Sequence, residues 1–224
     1  NTASMPGVDI EKLAYIWGCH CYQYTQYKVA SHTWPYLSVA NLSQAQQQKL
    51  SIALHATYKV RDLINTPAED CGPEHLEQVV HELGSKYDAS VEVIKGDELI
   101  EAGYPLIHAV GRASHRAPRL IVLRWGQKDD PKIALVGKGV CFDTGGLQIK
   151  PHASMQSMKK DMGGAAHMIA LAQMLMATKA PVQITLWIAA VDNAVGPNAF
   201  RPRDIFHSRK GLTVAQSNLE YEAS

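Results

Sequence analysis

Between positions 136 and 166 the chain reads VGKGVCFDTGGLQIKPHASMQSMKKDMGGAA, and four charged residues in it stand at the edges of apolar runs: Lys138, Asp143, Lys150 and Asp161. A charge held that close to a core needs a partner, because an unpaired buried charge costs several kcal/mol. Two carboxylates and two amines on glycine-relaxed backbone are the donor set that a pair of divalent ions and a polarised carbonyl require. Asp143 is suited to bridging two ions, as carboxylates do in paired-metal hydrolases. Asp161 precedes a helix start, where exposed N–H groups favour negative charge. A lysine ligates only as the neutral amine, a state that an adjacent dication favours. Lys150, farther along, would keep its charge and polarise a substrate carbonyl.

The same segment and its surroundings also fit simpler roles. The Gly-Lys-Gly at 137–139 hints at a phosphate loop, but Lys132 stands where the first glycine of a P-loop would be. Lys159 and Lys160 lie on a polar stretch and read as solvated. His152 and His167 read as hydrogen-bonded structural or surface groups, and Cys141 as a small packing residue. Cys19, His20 and Cys21 are consecutive, and neighbours on a helix diverge by about 100°, so they do not converge on one ion. Asp192 and Asn193 follow an apolar strand and would line the substrate loop, with no role assigned.

The elements that must position these groups follow from periodicity. Residues 13–27 carry mixed apolar and aromatic side chains and predict a helix packed on another domain. Residues 31–42 read as a linker. Ser43 and Gln46 have capping-box spacing, opening a long helix over 44–64 that Pro67 closes. Pro73 and Gly84 bracket a second helix over 73–83. Residues 90–94 alternate as a strand, Asp97 caps a short helix ending at Gly103, and 106–110 is read as a strand interrupted by His108. The β-branched runs 119–124 and 132–136 fit buried strands, with Lys138 and Asp143 just beyond the second, at the strand end where ligands gather in α/β sheets. An apolar helix over 164–177 and a strand over 182–191 complete the pattern. The expected fold is a three-layer α/β/α domain with a mixed, mostly parallel sheet. The long helix would connect two regions of the chain.

Composition narrows the function. In 224 residues, 46% are hydrophobic, 19% are charged, and the net charge is +1 without a basic run. This argues against nucleic acid or an anionic membrane as partner. The apolar stretch 168–191 is broken by Gln173, Lys179, Pro181 and Gln183, so no span is expected there. Four cysteines and no basic-then-apolar leader suit a cytoplasmic location. The first residue is Asn and the last residues stop inside a motif, so both ends are expected to be cut or altered.

GKGVCFDTGGLQIKP followed by KKDMGGAAHM resembles the signature of the leucyl aminopeptidase (cytosol aminopeptidase) family, and collinear similarity runs over about 13–213. LINTPAEDCGPEHL resembles the start of that family's catalytic domain, RAPRLIVLRW its following strand, and WIAAVDNAVGPNAFRPRDI the strand and loop after the DMGGAA helix. The resemblance implies an exopeptidase acting on peptides with a free N-terminus through two divalent metal ions (zinc, manganese or magnesium), assembled as a homo-hexamer. By position it implies metal ligation by Lys138, Asp143 and Asp161, and carbonyl polarisation by Lys150. It also implies that residues 1–42 are the tail of an N-terminal domain and a linker, 43–66 a connecting helix, and 67–224 an incomplete aminopeptidase catalytic domain.

The family's second metal motif, N-T-D-A-E-G-R, falls here on Asn218-Leu219-Glu220-Tyr221-Glu222-Ala223-Ser224. Glu222 stands on the shared carboxylate and Glu220 replaces an aspartate with a longer side chain, so both remain candidate metal ligands. Ser224 occupies the arginine position and supplies no guanidinium. Three readings follow. The chain is a piece of an ordinary aminopeptidase altered after Val214, or a catalytically impaired paralogue serving as a structural or binding subunit, or a hydrolase with rebuilt ligands and a changed substrate.

Overall fold

The computed structural model describes residues 9–39 and 42–215. The first helix, α1 (Ile10–His20), starts at Asp9, whose carboxylate accepts the Lys12 N–H. It is shorter than the expected 13–27, and the described residues beyond it, 22–39, are irregular. The reason is tertiary: the hydroxyls of Tyr22, Tyr24 and Tyr27 are taken by Asp62, Thr66 and Asp70, which draws the chain along its neighbour instead of onward as a helix. That neighbour is α2 (Gln44–Asn65), opened by the reciprocal Ser43–Gln46 capping box read from the sequence. Gly18 lets the two helices touch, since a Cβ there would lie 2.6 Å from the Leu54 side chain.

Helix α3 (Pro73–Tyr87) runs past its expected stop. Gly84 is a contact glycine rather than a terminator: a Cβ would sit 2.6 Å from Val91 Cγ2. The helix ends instead at Asp88, in the left-handed region with φ 55°. After β1 (Ser90–Lys95) come the short helices α4 (Glu98–Glu101) and α5 (Pro105–Gly111). The strand expected at 106–110 is therefore corrected to a helix. A five-residue apolar run has no decisive period, and here Pro105 sits in the first turn while Ile107 and Val110, three apart, pack on the sheet.

Strands β2 (Arg119–Trp125) and β3 (Lys132–Asp143) follow, then α6 (His152–Met155), a 3-10 turn (Met158–Met162), α7 (Gly163–Ala177) and β4 (Gln183–Asn193). A small hairpin, β5 (Ile205–His207) with β6 (Thr213–Ala215), closes the described chain. The main sheet has the order β1-β2-β4-β3. It is mixed, but only β3–β4 is parallel; β1–β2 and β2–β4 are antiparallel. The expected parallel majority is thus not found among the described strands. A parallel pair needs a crossover, and of the segments joining these strands only the one containing α7 joins a parallel pair.

Helices cover both faces. Leu63 of α2, Leu76, Val80 and Leu83 of α3, and Ile169, Ala172 and Met176 of α7 pack on Ile121, Leu123, Ile184, Leu186 and Ile188. On the other face Leu99 of α4 meets Leu120 and Val122, and Val110 of α5 meets Val140 and Val191. This is the expected three-layer arrangement.

Two features of β3 set up the site. First, the strand does not end at 136; it continues through the glycines to Asp143. Gly137 and Gly139 are there for close approach, since a Cβ would lie 2.7 Å from the Ala165 Cα and 2.6 Å from the Ala189 carbonyl oxygen respectively. Second, β3 carries a bulge: Val140 pairs with Val191 and Phe142 with Asp192, so Cys141 is an extra residue. Lys138 pairs with Ala189 and Asp143 with Asn193. The partners are four apart and share a face, so the bulge brings Lys138 and Asp143, five apart, to the same face as well.

Candidate active site

Asp143 ends β3 with its side chain 4% exposed. Its Oδ1 accepts the Gly145 N–H at 2.9 Å and the Asn193 Nδ2 at 2.7 Å, and its Oδ2 lies 2.7 Å from the Lys150 ammonium. The loop between them is tight. Gly145 and Gly146 have φ of 89° and 62°, and a Cβ on Gly145 would lie 2.3 Å from the Gln148 carbonyl oxygen. Thr144 roots this loop: its N–H and hydroxyl both donate to the Asn193 carbonyl, at 3.0 and 2.7 Å, and its own carbonyl accepts the Lys150 N–H at 2.9 Å.

The second pair forms across the edge strand. The Lys138 ammonium lies 3.2 Å from Asp161 Oδ2 in the 3-10 turn before α7. Gly164 admits this approach, because a Cβ there would stand 3.0 Å from the Lys138 backbone nitrogen. Asp161 Oδ2 is buried and accepts no hydrogen bond; Lys138 supplies charge at short range without hydrogen-bond alignment. A buried carboxylate oxygen lacking a directional partner, beside an amine, is a donor set that suits a divalent cation. The residues present therefore fit a metal, and the four sequence candidates form two lysine–aspartate pairs at the end of the domain's parallel strand pair. Glu220, Glu222 and Ser224 lie outside the described residues. Among the described residues no group of three His, Cys, Asp or Glu side chains converges as a metal site.

His152 Nε2 contacts Gln156 and His167 Nδ1 contacts the Gly163 carbonyl, so both rings are engaged within their own helical turns. Cys141 is buried, and burial pushes its thiol well above the ordinary value. His20 stacks edge-on against Trp34. Lys159 departs from its expectation: it is not merely solvated, since its Nζ donates to the Asn65 carbonyl and ties the 3-10 turn to the end of α2.

Asn193 is the residue to which sequence reasoning assigned no role. It is 1% exposed and touches both Asp143 and the loop root. The available signal was a buried-type position at the carboxyl end of an apolar strand holding an amide. Asp192 faces away, its Oδ2 3.8 Å from Arg116. Burial raises its carboxyl above the ordinary value against the pull of Arg116.

A family profile described as "Cytosol aminopeptidase family, catalytic domain" matches residues 58–223. The chain belongs to the cytosol aminopeptidase family. Curated relatives in this family include Peptidase B of Pectobacterium carotovorum, 42% identical over 190 residues that make up 82% of this chain and 44% of that protein. Peptidase B of Klebsiella pneumoniae is 40% identical over 198 residues, 84% of this chain and 45% of its own length. The chain thus spans less than half the length of these relatives. Among solved structures, cytosol aminopeptidase from Coxiella burnetii superposes with a TM-score of 0.88 at 45% identity, covering 95% of this chain and 46% of that one. The bottromycin maturation enzyme BotP in complex with Mn gives 0.85 at 30% identity, over 95% of this chain and 47% of that one. No helix among the described residues is long and apolar enough to cross a membrane.

Proposed function

We propose that this chain carries the Lys138–Asp143–Lys150–Asp161 half of a metal-dependent aminopeptidase centre that removes N-terminal residues, of leucine type, from peptides with a free N-terminus. The observation that supports the reading most is the Lys138–Asp161 pair, in which a buried carboxylate oxygen has a neighbouring amine and no hydrogen bond. Divalent cations, when bound, supply Lewis acidity and a nucleophile at neutral pH. Asp143, Asp161 and Lys138 would hold them, joined by Glu220 and Glu222 of the second motif. The Lys150 ammonium, anchored through the Thr144 loop, would orient the scissile carbonyl oxygen and stabilise the charge that develops on it. Zinc, manganese or magnesium as the ion, a count of two, the homo-hexamer, the cytoplasmic location and the division at 43 and 67 belong to the same reading. The manganese in BotP makes Mn²⁺ the first ion to try.

A second reading, an impaired paralogue acting as a structural or binding subunit, is favoured by Glu220 and Ser224 at the aspartate and arginine positions of the second motif. One experiment separates the two. Mn²⁺ stoichiometry and hydrolysis of leucine arylamide are measured on the chain, on Lys150→Met and on Ser224→Arg with Glu220→Asp. The aminopeptidase reading expects turnover that Lys150→Met lowers by about 10²–10³-fold with Mn²⁺ binding retained. Turnover that Lys150→Met leaves unchanged would sink it. Metal-free, inactive protein that the double replacement restores would support the impaired paralogue.

A further inference from the structure

We propose that Asn193 is a positioning residue that reserves one oxygen of Asp143 for a divalent cation and anchors the loop bearing Lys150; the inference rests on the aminopeptidase reading above. A carboxylate oxygen has two in-plane acceptor positions. Both positions of Asp143 Oδ1 are taken, by Gly145 N–H at 2.9 Å and by Asn193 Nδ2 at 2.7 Å. A cation therefore approaches Asp143 from the Oδ2 side, where Lys150 stands at 2.7 Å. The amide orientation follows from chemistry: an ionised carboxylate only accepts, so the NH₂ of Asn193 must face it. The amide oxygen then faces the loop, where a Cβ on Gly146 would lie 3.3 Å away.

The same residue acts through its backbone. Its carbonyl receives both the N–H and the hydroxyl of Thr144, and Thr144 in turn receives the Lys150 N–H. One position on β4 thereby sets the direction of a ligand and the root of the loop carrying the carbonyl-orienting amine. Groups that fix a ligand's orientation in this way typically change metal affinity or activity about 10- to 100-fold when removed. An asparagine needed only for folding would not show that pattern.

The test titrates Mn²⁺ calorimetrically into the full chain and into Asp143→Asn, Asn193→Ala, Asn193→Leu and Asn193→Ser, each checked by far-UV circular dichroism and thermal melting. Leucine has the same heavy-atom branching as asparagine, so a second donor-free variant of similar shape is available even if the alanine variant does not fold. Serine keeps a donor. The expected result is loss of binding in Asp143→Asn, affinity weakened about 10- to 100-fold in the donor-free variants, and a smaller loss in Asn193→Ser. Folded Asn193→Ala or Asn193→Leu protein binding Mn²⁺ within twofold of the parent overturns the proposal while leaving the metal reading intact. Equal weakening in all three Asn193 variants, in step with their melting temperatures, marks a structural role and also overturns it. A parent chain that binds no Mn²⁺ overturns both this proposal and the reading it rests on.

Discussion

Removing Arg119 should expose how much of the fold depends on one buried guanidinium. Arg119 is 4% exposed at the start of β2. Its two terminal nitrogens meet Glu74 and Glu77 of α3, and Nε and Nη2 also donate to the Ala117 carbonyl at 3.2 and 3.0 Å. Lys95 of β1 adds a second cation 2.8 Å from Glu77. In Arg119→Met the volume is roughly kept and the charge is lost. Breaking a buried pair by removing one partner costs about 3–5 kcal/mol. Here the figure is lower, because Glu74 is 52% exposed and can turn to water while Glu77, 15% exposed, keeps Lys95. About 2–3 kcal/mol is expected at pH 7 on that discount, read as a shift in urea midpoint at constant slope.

The pH dependence carries its own sign. Burial alone would raise the Glu77 carboxyl, but Lys95 and Arg119 outweigh it and hold it below the ordinary 4.5. A depressed folded-state pKa contributes stability that is present above the unfolded value and disappears as pH falls through the folded one. The difference between parent and Arg119→Met should therefore narrow as the pH drops below about 4. Glu77→Gln in the Arg119→Met background should recover part of the loss. A variant within 0.5 kcal/mol of the parent at pH 7, a threshold of about the usual surface effect, or a deficit independent of pH, would refute the reasoning.

Three further outcomes are expected. Gly137→Ala drives a Cβ to 2.7 Å from the Ala165 Cα, so β3 and α7 must separate; a loss of about 1–3 kcal/mol in urea denaturation is expected. Arg203 has φ 70°, and Arg203→Gly should raise stability by about 0.5–1 kcal/mol by relieving left-handed backbone strain; a lower melting temperature would contradict that. With burial pushing Cys71 up to about 11 and Cys141 well above its ordinary value, iodoacetamide at pH 8 should label the half-buried Cys19 and Cys21 of native protein first. Fast labelling at Cys141, located by peptide mapping, would show that the bulge opens.

Much of this architecture was legible beforehand, and the exceptions share a cause. The Ser43–Gln46 box and the apolar strands at 119, 132 and 183 carry their signal locally, in capping chemistry and β-branched composition. Gly84, Gly137 and Gly139 misled because glycine as a terminator and glycine as a contact surface look alike until the opposing atom is known, here Val91, Ala165 and Ala189. Residues 106–110 were too short for a period to distinguish helix from strand. In the site, the charged residues announced themselves because charge beside a core needs explanation. Asn193 did not, since a neutral amide after a strand is unremarkable until its partner, fifty positions earlier, is seen.

The bulge at Cys141 separates two kinds of change that sequence comparison usually treats together. Four residues lie between Lys138 and Asp143, and their spelling is open: Val140 and Phe142 can give way to other apolar residues while the carboxylate keeps its place. Their number is open in one direction only. Removing Cys141 takes out the bulge and leaves the carboxylate opposite Asn193, four positions after Lys138 and on the same face. Adding one residue to a strand that keeps its present bulge turns Asp143 through the sheet toward the apolar layer formed by α3 and α7, where an ionised carboxylate has no partner. A length scan across 139–142 should therefore tolerate loss of Cys141 better than any insertion.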